Sequence, residues 1–419
     1  MTSRVLTVGE RIELRRRRLG LSRRVVAQLA GRSEEWLRKI ECGGSLLDSI
    51  QITYRLAEVL HFDDPMELIG WPTSSRSVAR GMDLQLTALN RAIMDHPSTR
   101  AFATNTEQPL PELDSVRASL EQCRATWFGS PHRYTELAAR LPAVLVAARS
   151  IRAAAHTTPG GPVAEAGGVL ADAYHLARLL LTRVGDYHMA WLVSDRPIGI
   201  LTHPEHPTRI AVSSWHVASA LLSLGYLAES RDYALAAARR LTRAALPERL
   251  AGPAHGALLL VAAEGAAGTG DLTLSEALMA EAGQVAAKLD PNRPAEVPDS
   301  HAPDYTVSFG RAEVVITGMN IALQLGRVDD AIRLSADVDL PEDASADLEV
   351  RYYLTTAYAY GQRGEDFAAV FALQQAEHAC PEDIRYDWMA HRTLQKLSRH
   401  DHHLIRRDLT KLLTVAGLA

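Results

Sequence analysis

What most limits the folds open to this chain is a recurring break. Apolar residues repeat at intervals of three and four through most of the sequence, the spacing of one helix face. Short glycine turns interrupt them: Arg183-Val184-Gly185-Asp186-Tyr187, Leu224-Gly225-Tyr226-Leu227, Gly268-Thr269-Gly270-Asp271-Leu272, Leu325-Gly326-Arg327-Val328 and Arg363-Gly364-Glu365-Asp366-Phe367. Glycines 185, 225, 268, 326 and 364 stand 40, 43, 58 and 38 residues apart, and the long interval holds a proline-rich insertion from Asp290 through Pro303. A helix of ~15 residues, a glycine turn and a second helix, repeated every ~34–45 residues, buries its apolar stripe by stacking on the next pair. Ala190, Ala234, Ala331 and Ala368 fall early in second helices, where a small side chain lets two helices approach. Strand-like alternation bounded by turn pairs is absent. The fold class read from this is all-α, an α-solenoid of stacked helix pairs. A helical bundle with coincidental spacing is the alternative.

A chain of 419 residues exceeds what one core usually serves, which fits an array. Its formal charge of −5, from 45 basic and 50 acidic side chains, argues against a nucleic-acid partner until it is divided by segment. Arg4 to Lys39 carries 11 basic and 4 acidic residues, a net of +7, whereas residues 72–419 carry 33 and 40, a net of −7. Three scattered cysteines (Cys42, Cys123, Cys380) make neither a disulfide framework nor a cysteine zinc site. The first residues lack the apolar core of a secretion signal. Apolar stretches such as Leu141–Ala148 and Ala257–Ala263 are shorter than the ~18 residues of a membrane span. The expectation is a cytoplasmic protein with no membrane partner.

Within the basic segment, local rules place two helices. Ser22 caps a helix whose apolar face reads as Val25, Val26 and Leu29, with small Ala27 where another helix crosses. Gly31 suits a left-handed turn, and Ser33 caps a second helix with Trp36, Leu37 and Ile40 inward. Glu34, Glu35, Arg38 and Lys39 are then left on its outer face, and Gly43 ends it. In a helix-turn-helix such a second helix enters the DNA major groove with its N-terminal residues at the base edges. Ser33, Glu34, Glu35, Arg38 and Lys39 are the expected base-reading set. Glutamate repels phosphate unless it accepts from a cytosine amino group. Cys42, beside this helix, reads as a partly buried, inert thiol.

The segment resembles the Cro and phage-repressor type of helix-turn-helix, often called XRE. The resemblance rests on Leu19-Gly20-Leu21-Ser22, Leu29-Ala30-Gly31 with Ser33, Ile40-Glu41-Cys42-Gly43 and Leu56-Ala57-Glu58-Val59-Leu60, and it covers about residues 8–70. It implies a five-helix head and a structural pair between Arg16 and Glu41. It also puts Arg23 at a phosphate-contacting position, which the basic run extends to Arg15, Arg18 and Arg24. Helix 1 departs from the family in its Arg15–Arg18 run and its thin apolar stripe of Val8, Ile12 and Leu19.

Three regions follow: a DNA-binding head (1–71), a polar linker (72–111) and the array (112–419). One helix carrying Met82, Leu84, Leu86, Leu89 and Ile93 can interrupt the linker. The array is similar to tetratricopeptide repeats, most closely at Leu325-Gly326-Arg327-Val328-Asp329-Asp330-Ala331-Ile332. A DNA-reading head on such an array resembles bacterial regulators whose repeat domain senses a ligand, often a secreted peptide. That likeness implies a homodimer on a double-stranded operator and a peptide or small-molecule effector. Candidate effector residues on first helices are Tyr174, His175, Arg178, Trp215, His216, Arg311, Asn320, Arg351 and Tyr352. Peptide-sensing relatives hold the ligand backbone with several inward asparagines. Here there are four Asn in all, and Asn320 alone lies mid-helix in the array, which weighs against a peptide. His203-Pro204-Glu205-His206 and His400-Asp401-His402-His403 read as surface histidines, and Gly268-Thr269-Gly270-Asp271 is no phosphate loop. No metal, cofactor or catalytic constellation is expected. The competing reading is a helical-repeat interaction protein whose head no longer reads DNA, motivated by Glu34 and Glu35.

Overall fold

The computed structural model describes residues 8–42, 50–60, 68, 84, 86–95, 110–201, 207–289, 307–338, 340, 344–399 and 403–418. Among these residues there are 20 helices and no strand.

The head begins with α1 (Val8–Arg18), α2 (Arg23–Leu29), α3 (Glu34–Glu41) and α4 (Ile50–Val59). Ser22 Oγ accepts from the Val25 amide and Ser33 Oγ from the Trp36 amide, each at 3.2 Å, so both caps form as the sequence requires. Gly31 turns the chain between the two helices with φ of +71°. Gly9 lets α1 cross the end of α3, since a Cβ there would stand 2.2 Å from the Ile40 carbonyl oxygen. Ile12, Val26, Ala27, Leu37, Ile40, Leu56, Leu60 and Leu68 close the core. The inward face of α2 is narrower than expected. Val26 and Ala27 are buried, but Val25 and Leu29 are 39% and 54% exposed, because a helix this short turns only one stripe toward α3. Cys42 is exposed rather than partly buried. The expected fifth helix lies outside the described residues except at Leu68, which is helical.

The helix expected inside the linker is α5 (Thr87–Met94), which packs on the helix Arg133–Thr157 and places Leu89 and Ile93 in the shared core. Met82 lies outside the described residues, while Leu84 and Leu86 join the same core. Six helix pairs follow: α6 (Leu113–Gly129) with α7 (Arg133–Thr157), α8 (Val163–Arg183) with α9 (Tyr187–Ile200), and α10 (Pro207–Ser223) with α11 (Leu227–Arg243). Then come α12 (Glu248–Gly268) with α13 (Leu272–Lys288), α14 (Arg311–Gln324) with α15 (Val328–Ser335), and α16 (Ala346–Arg363) with α17 (Asp366–Ala379). Three shorter helices end the chain: α18 (Pro381–Tyr386), α19 (Trp388–Leu397) and α20 (Arg406–Val415).

One turn recurs in five of the pairs. Gly185, Gly225, Gly270, Gly326 and Gly364 all have φ between +74° and +88°. The residue after each has φ between −79° and −89° and ψ between 64° and 74°. Its amide donates to a carbonyl at the end of the preceding helix: Asp186 to Leu181, Tyr226 to Leu221, Asp271 to Ala266, Arg327 to Ala322 and Glu365 to Tyr360, at 2.8–3.0 Å. In the third unit the turn glycine is therefore Gly270, not Gly268, and the intervals become 40, 45, 56 and 38. Corrected this way, a small residue five positions after each turn glycine is buried: Ala190, Ser230, Ser275, Ala331 and Ala369, all at most 3% exposed. The two serines donate to carbonyls of the first helix, Ser230 to Ala218 at 2.8 Å and Ser275 to Ala263 at 2.9 Å. Ala234 is buried one turn later, and Ala368 is only half-buried.

First helices α8, α10, α12, α14 and α16 pack on one another in order. The array then meets its own beginning. α16 touches α6, and one continuous core joins α5–α9 to α16–α20. Arg133 at the start of α7 donates from Nη2 to Asp383 of α18 at 2.7 Å and from Nη1 to Asp347 of α16 at 3.0 Å. The Tyr134 hydroxyl donates to Asp383 at 2.6 Å, and its ring lies 5.1 Å from that of Tyr386. The expected solenoid is thus closed rather than open-ended.

Among the described residues one helix, Leu250–Gly268, is long and apolar enough to cross a membrane, extending the apolar run seen in the sequence. It is the body of α12, and 72% of its apolar window is buried against neighbouring helices of the array.

Candidate functional site

The outer face of α3 is polar and open: Ser33, Glu34, Glu35, Arg38 and Lys39 are all exposed. Glu35 and Arg38 are paired across one turn, Nη2 to Oε1 at 2.6 Å, which holds the Glu35 carboxyl below its usual range. An exposed pair of this kind exchanges readily for another partner. Glu34 and Glu35 also sit in the first helical turn, where acidic groups favour the helix dipole.

Behind this face lies the expected Arg16–Glu41 pair. Arg16 is bidentate on Glu41, Nε to Oε1 at 2.6 Å and Nη2 to Oε2 at 3.0 Å, and both residues are buried. A further Arg16 bond, from Nη1, reaches the Leu21 carbonyl at 3.0 Å. Burial alone would push the Glu41 carboxyl up, but bonds from Arg16 and Arg23 outweigh it and hold the group below its usual range.

Two of the expected phosphate contacts have internal partners. Arg23 donates from Nε to Glu41 at 2.6 Å and lies 3.6 Å from Glu13, while Arg15 donates to the Leu60 carbonyl at 3.1 Å. Both are turned onto internal acceptors, Glu41 and the carbonyl that follows α4. Arg24 is exposed beside α3, and the side chain of Arg18 lies outside the described residues. Arg32, not singled out from the sequence, stands 6.0 Å over the Trp36 ring, which is half-buried at the edge of the core.

Residues 7–68 match the family model described as Helix-turn-helix domain. That stretch is a helix-turn-helix domain. No curated protein matches the chain. Among solved structures, a crystal structure of Bacillus thuringiensis PlcR in complex with the peptide PapR7 and DNA is similar at 13% identity. The match covers 68% of this chain and 94% of that one with a TM-score of 0.27, a likeness too loose to argue from. The helix-turn-helix domain therefore rests on its own match and on the two capped helices.

In the array, four of the candidate effector residues come together between α8 and α10. The His175 and His216 rings stack at 4.0 Å, and His175 Nε2 lies 2.9 Å from Ser213 Oγ. Arg178 donates from Nε to His216 Nδ1 at 2.9 Å, and its guanidinium lies 4.7 Å over the Trp215 ring. Burial, with His175 and Arg178 alongside, holds His216 neutral well below its usual value. Tyr174 points the other way, its hydroxyl bonded by Arg149 and Arg196 at 3.2 Å in the packing beneath α5. Tyr352 donates to the Ser335 carbonyl at 3.0 Å between α15 and α16, so both tyrosines serve helix packing. Arg311 is exposed at the start of α14.

Asn320 on α14 and Arg351 on α16 are both partly buried. Thr355 donates to Asn320 Oδ1 at 3.4 Å, and Arg351 lies 3.5 Å from Glu313 and 3.1 Å from Asp347. Sequence reasoning missed Glu264 on α12, although a lone carboxylate in Leu258-Leu259-Leu260-Val261-Ala262-Ala263-Glu264-Gly265-Ala266 was the available signal. Burial pushes its carboxyl up to about 7, against a smaller opposing pull from Arg351. Arg351 stands two helix pairs later in the array, and Glu264 is partly accessible. The motif histidines at 203, 206, 400 and 402 lie outside the described residues, and His403 is exposed.

Proposed function

We propose that the protein is a DNA-binding transcriptional regulator that acts as a homodimer on a double-stranded operator, in the cytoplasm, and answers an effector held by its helical array. The observation that carries this is the helix-turn-helix domain at residues 7–68, with α3 capped at Ser33 and presenting Arg38 and Lys39 outward. Lys39 and Arg24 are ready to meet phosphate, and Arg38 becomes available when a base or phosphate displaces Glu35. Pairing follows from geometry: one head spans a half-site, and two half-sites lie one helical turn apart. No catalytic role is proposed. Fluorescence anisotropy of the full chain on a palindromic fragment from its own promoter region, at several salt concentrations, tests the reading. Affinity should fall steeply with salt, and Arg38→Ala with Lys39→Ala should abolish sequence preference. Salt-independent binding that survives the double substitution would sink it.

A second reading has its own support in the Glu35–Arg38 pair and in Arg23 turned onto Glu41, which together leave few free cations on the reading face. On that reading the chain is a protein-interaction scaffold with a degenerate head. Selection of bound genomic fragments that returns no shared sequence would favour it.

A further inference from the structure

The last second helix of the array exposes what the others do not. On α17, Phe367 and Phe371 are 51% and 63% exposed, and with exposed His378 they follow one side of the helix. On α11, α13 and α15 no large apolar side chain is exposed. Open positions there hold Asp232 and Arg239, Glu276 and Glu281, and Asp329 and Arg333. A helix ending an array ordinarily turns a polar side to water. After α17 no further pair follows, and α20 settles on its flank instead, with Lys411 Nζ 2.9 Å from Glu377 Oε1. Two aromatic rings one turn apart on a rigid helix are the usual anchors of a protein–protein contact. The helix is rigidly held: Ala369, Val370 and Leu373 share one core with Leu89 and Ile93 of α5, the helix that follows the head.

Charge at the two ends of this stripe says what covers it. At the start, Glu365 and Asp329 share the guanidinium of Arg363, at 3.1 and 3.5 Å, two carboxylates to one cation. At the far end Glu377 meets Lys411, and Arg407 is exposed one turn earlier on that side of α20, two cations to one carboxylate. Phe371 stands midway, six residues after Glu365 and six before Glu377, ~9 Å each way at the ~1.5 Å rise of a helix. A second copy turned end for end about Phe371 therefore lays its acidic end on the basic end of the first, twice over, with Phe371 against Phe371. The antiparallel helix dipoles add to the match. A partner of one charge would suit only half the stripe.

We propose that this face of α17 pairs two copies of the chain, helix against helix in opposite directions, about a two-fold axis at Phe371. Such a contact is isologous and closes on itself. It rests on the homodimer in the reading above and assigns the face that forms it.

Sedimentation equilibrium of the full chain over a range of concentrations tests this. The chain should run at twice its mass, and Phe371→Glu should weaken pairing at least about thirtyfold, as loss of a central anchor does. Phe371 is exposed, so the variant should keep its Tm, which shows that it folds. Glu365→Lys should weaken pairing about tenfold by setting like charges opposite, and adding Lys411→Glu should recover it. Phe371→Cys with Cys42→Ser should cross-link to itself through a short bismaleimide. A dimer unchanged by Phe371→Glu, or weakened by Glu365→Lys without recovery in the double variant, overturns the assignment. So does a monomer at every concentration: resistance of Phe371→Cys to maleimide would then give the face to another segment of the same chain, and rapid labelling would leave it to a different protein. Anisotropy on the operator fragment is run in parallel. Operator binding by a dimer indifferent to Phe371→Glu fails this proposal alone, and pairing through Phe371 without operator binding fails the regulator reading alone.

Discussion

Glu41 shows how one acidic residue can organise a basic domain. It accepts from Arg16 and Arg23 at the junction of α1, α2 and α3, so most of what it stabilises lies in helices other than its own. Glu41→Ala leaves the buried Arg16 guanidinium without its carboxylate and should cost about 3–5 kcal/mol in chemical denaturation of the head. Because the Glu41 carboxyl titrates lower when folded than unfolded, its contribution is present above the ordinary carboxylate range. It is lost as pH falls through the folded value, and a denaturation series across acid pH should show head stability declining there, with the slope removed by Glu41→Gln. Glu264 has the opposite sign. Its folded value is raised to about 7 from 4.5, so the stability linked to it is complete below about 4.5 and lost as pH rises through about 7. Glu264→Gln should therefore raise Tm at about pH 8, by at most about 3 kcal/mol in stability given its partial exposure. An unchanged or lowered Tm would contradict the placement of this carboxyl. The Arg16–Glu41 pair was legible through the resemblance to the Cro and phage-repressor type, which implies it. Glu264 was not, because one carboxylate in an apolar helix reads equally as a lapse in the stripe or as a site until its surroundings are known.

At the scale of the element, the glycine turn is the unit of repetition, and its legibility was almost complete. Gly185, Gly225, Gly326 and Gly364 were identified by pattern, and only Gly268-Thr269-Gly270 offered two candidates. The left-handed residue is Gly270, which carries the chain into Asp271, and Asp271 Oδ1 then caps α13 by accepting from Leu274 at 3.1 Å. Gly268 ends α12 in ordinary helix. Gly270→Ala should cost about 1–2 kcal/mol because a Cβ disfavours that conformation, whereas Gly268→Ala should be neutral or slightly stabilising. Differential scanning calorimetry of the two variants distinguishes the assignments, and equal losses would remove the basis for the corrected register. Burial on α2 was less legible. Val25 and Leu29 are apolar and correctly spaced, but seven residues make two turns, and the direction of the crossing is a property of α3 and α4. Residue type states what a face can bury. The partner decides which face it is.

For the whole molecule, closure of the array was invisible in the sequence, because nothing in a periodic pattern tells where its two ends go. The residues that join them, Arg133, Tyr134, Asp347 and Asp383, are far apart along the chain and have no motif. Arg133 and Asp383 have no side-chain exposure, and burial raises the Tyr134 hydroxyl well above its usual value, with Asp383 adding to it. Asp383→Ala strands the Arg133 guanidinium and should cost about 3–5 kcal/mol. Small-angle scattering should then show a larger radius of gyration if the ends part, and an unchanged radius with unchanged stability would show that the apolar core alone holds them. Closure also sets a timetable for biosynthesis. Trp127, Tyr134 and Leu137 leave the ribosome well before Ile384 and Tyr386, with which they share a core. The clasp spans 250 residues from Arg133 to Asp383. At ~5–20 residues per second, that apolar surface waits on the order of 10–50 s for its cover. An open array can set each pair as it emerges, but this one must keep its first pair soluble until its last has been made, which makes the nascent chain a natural client for a chaperone.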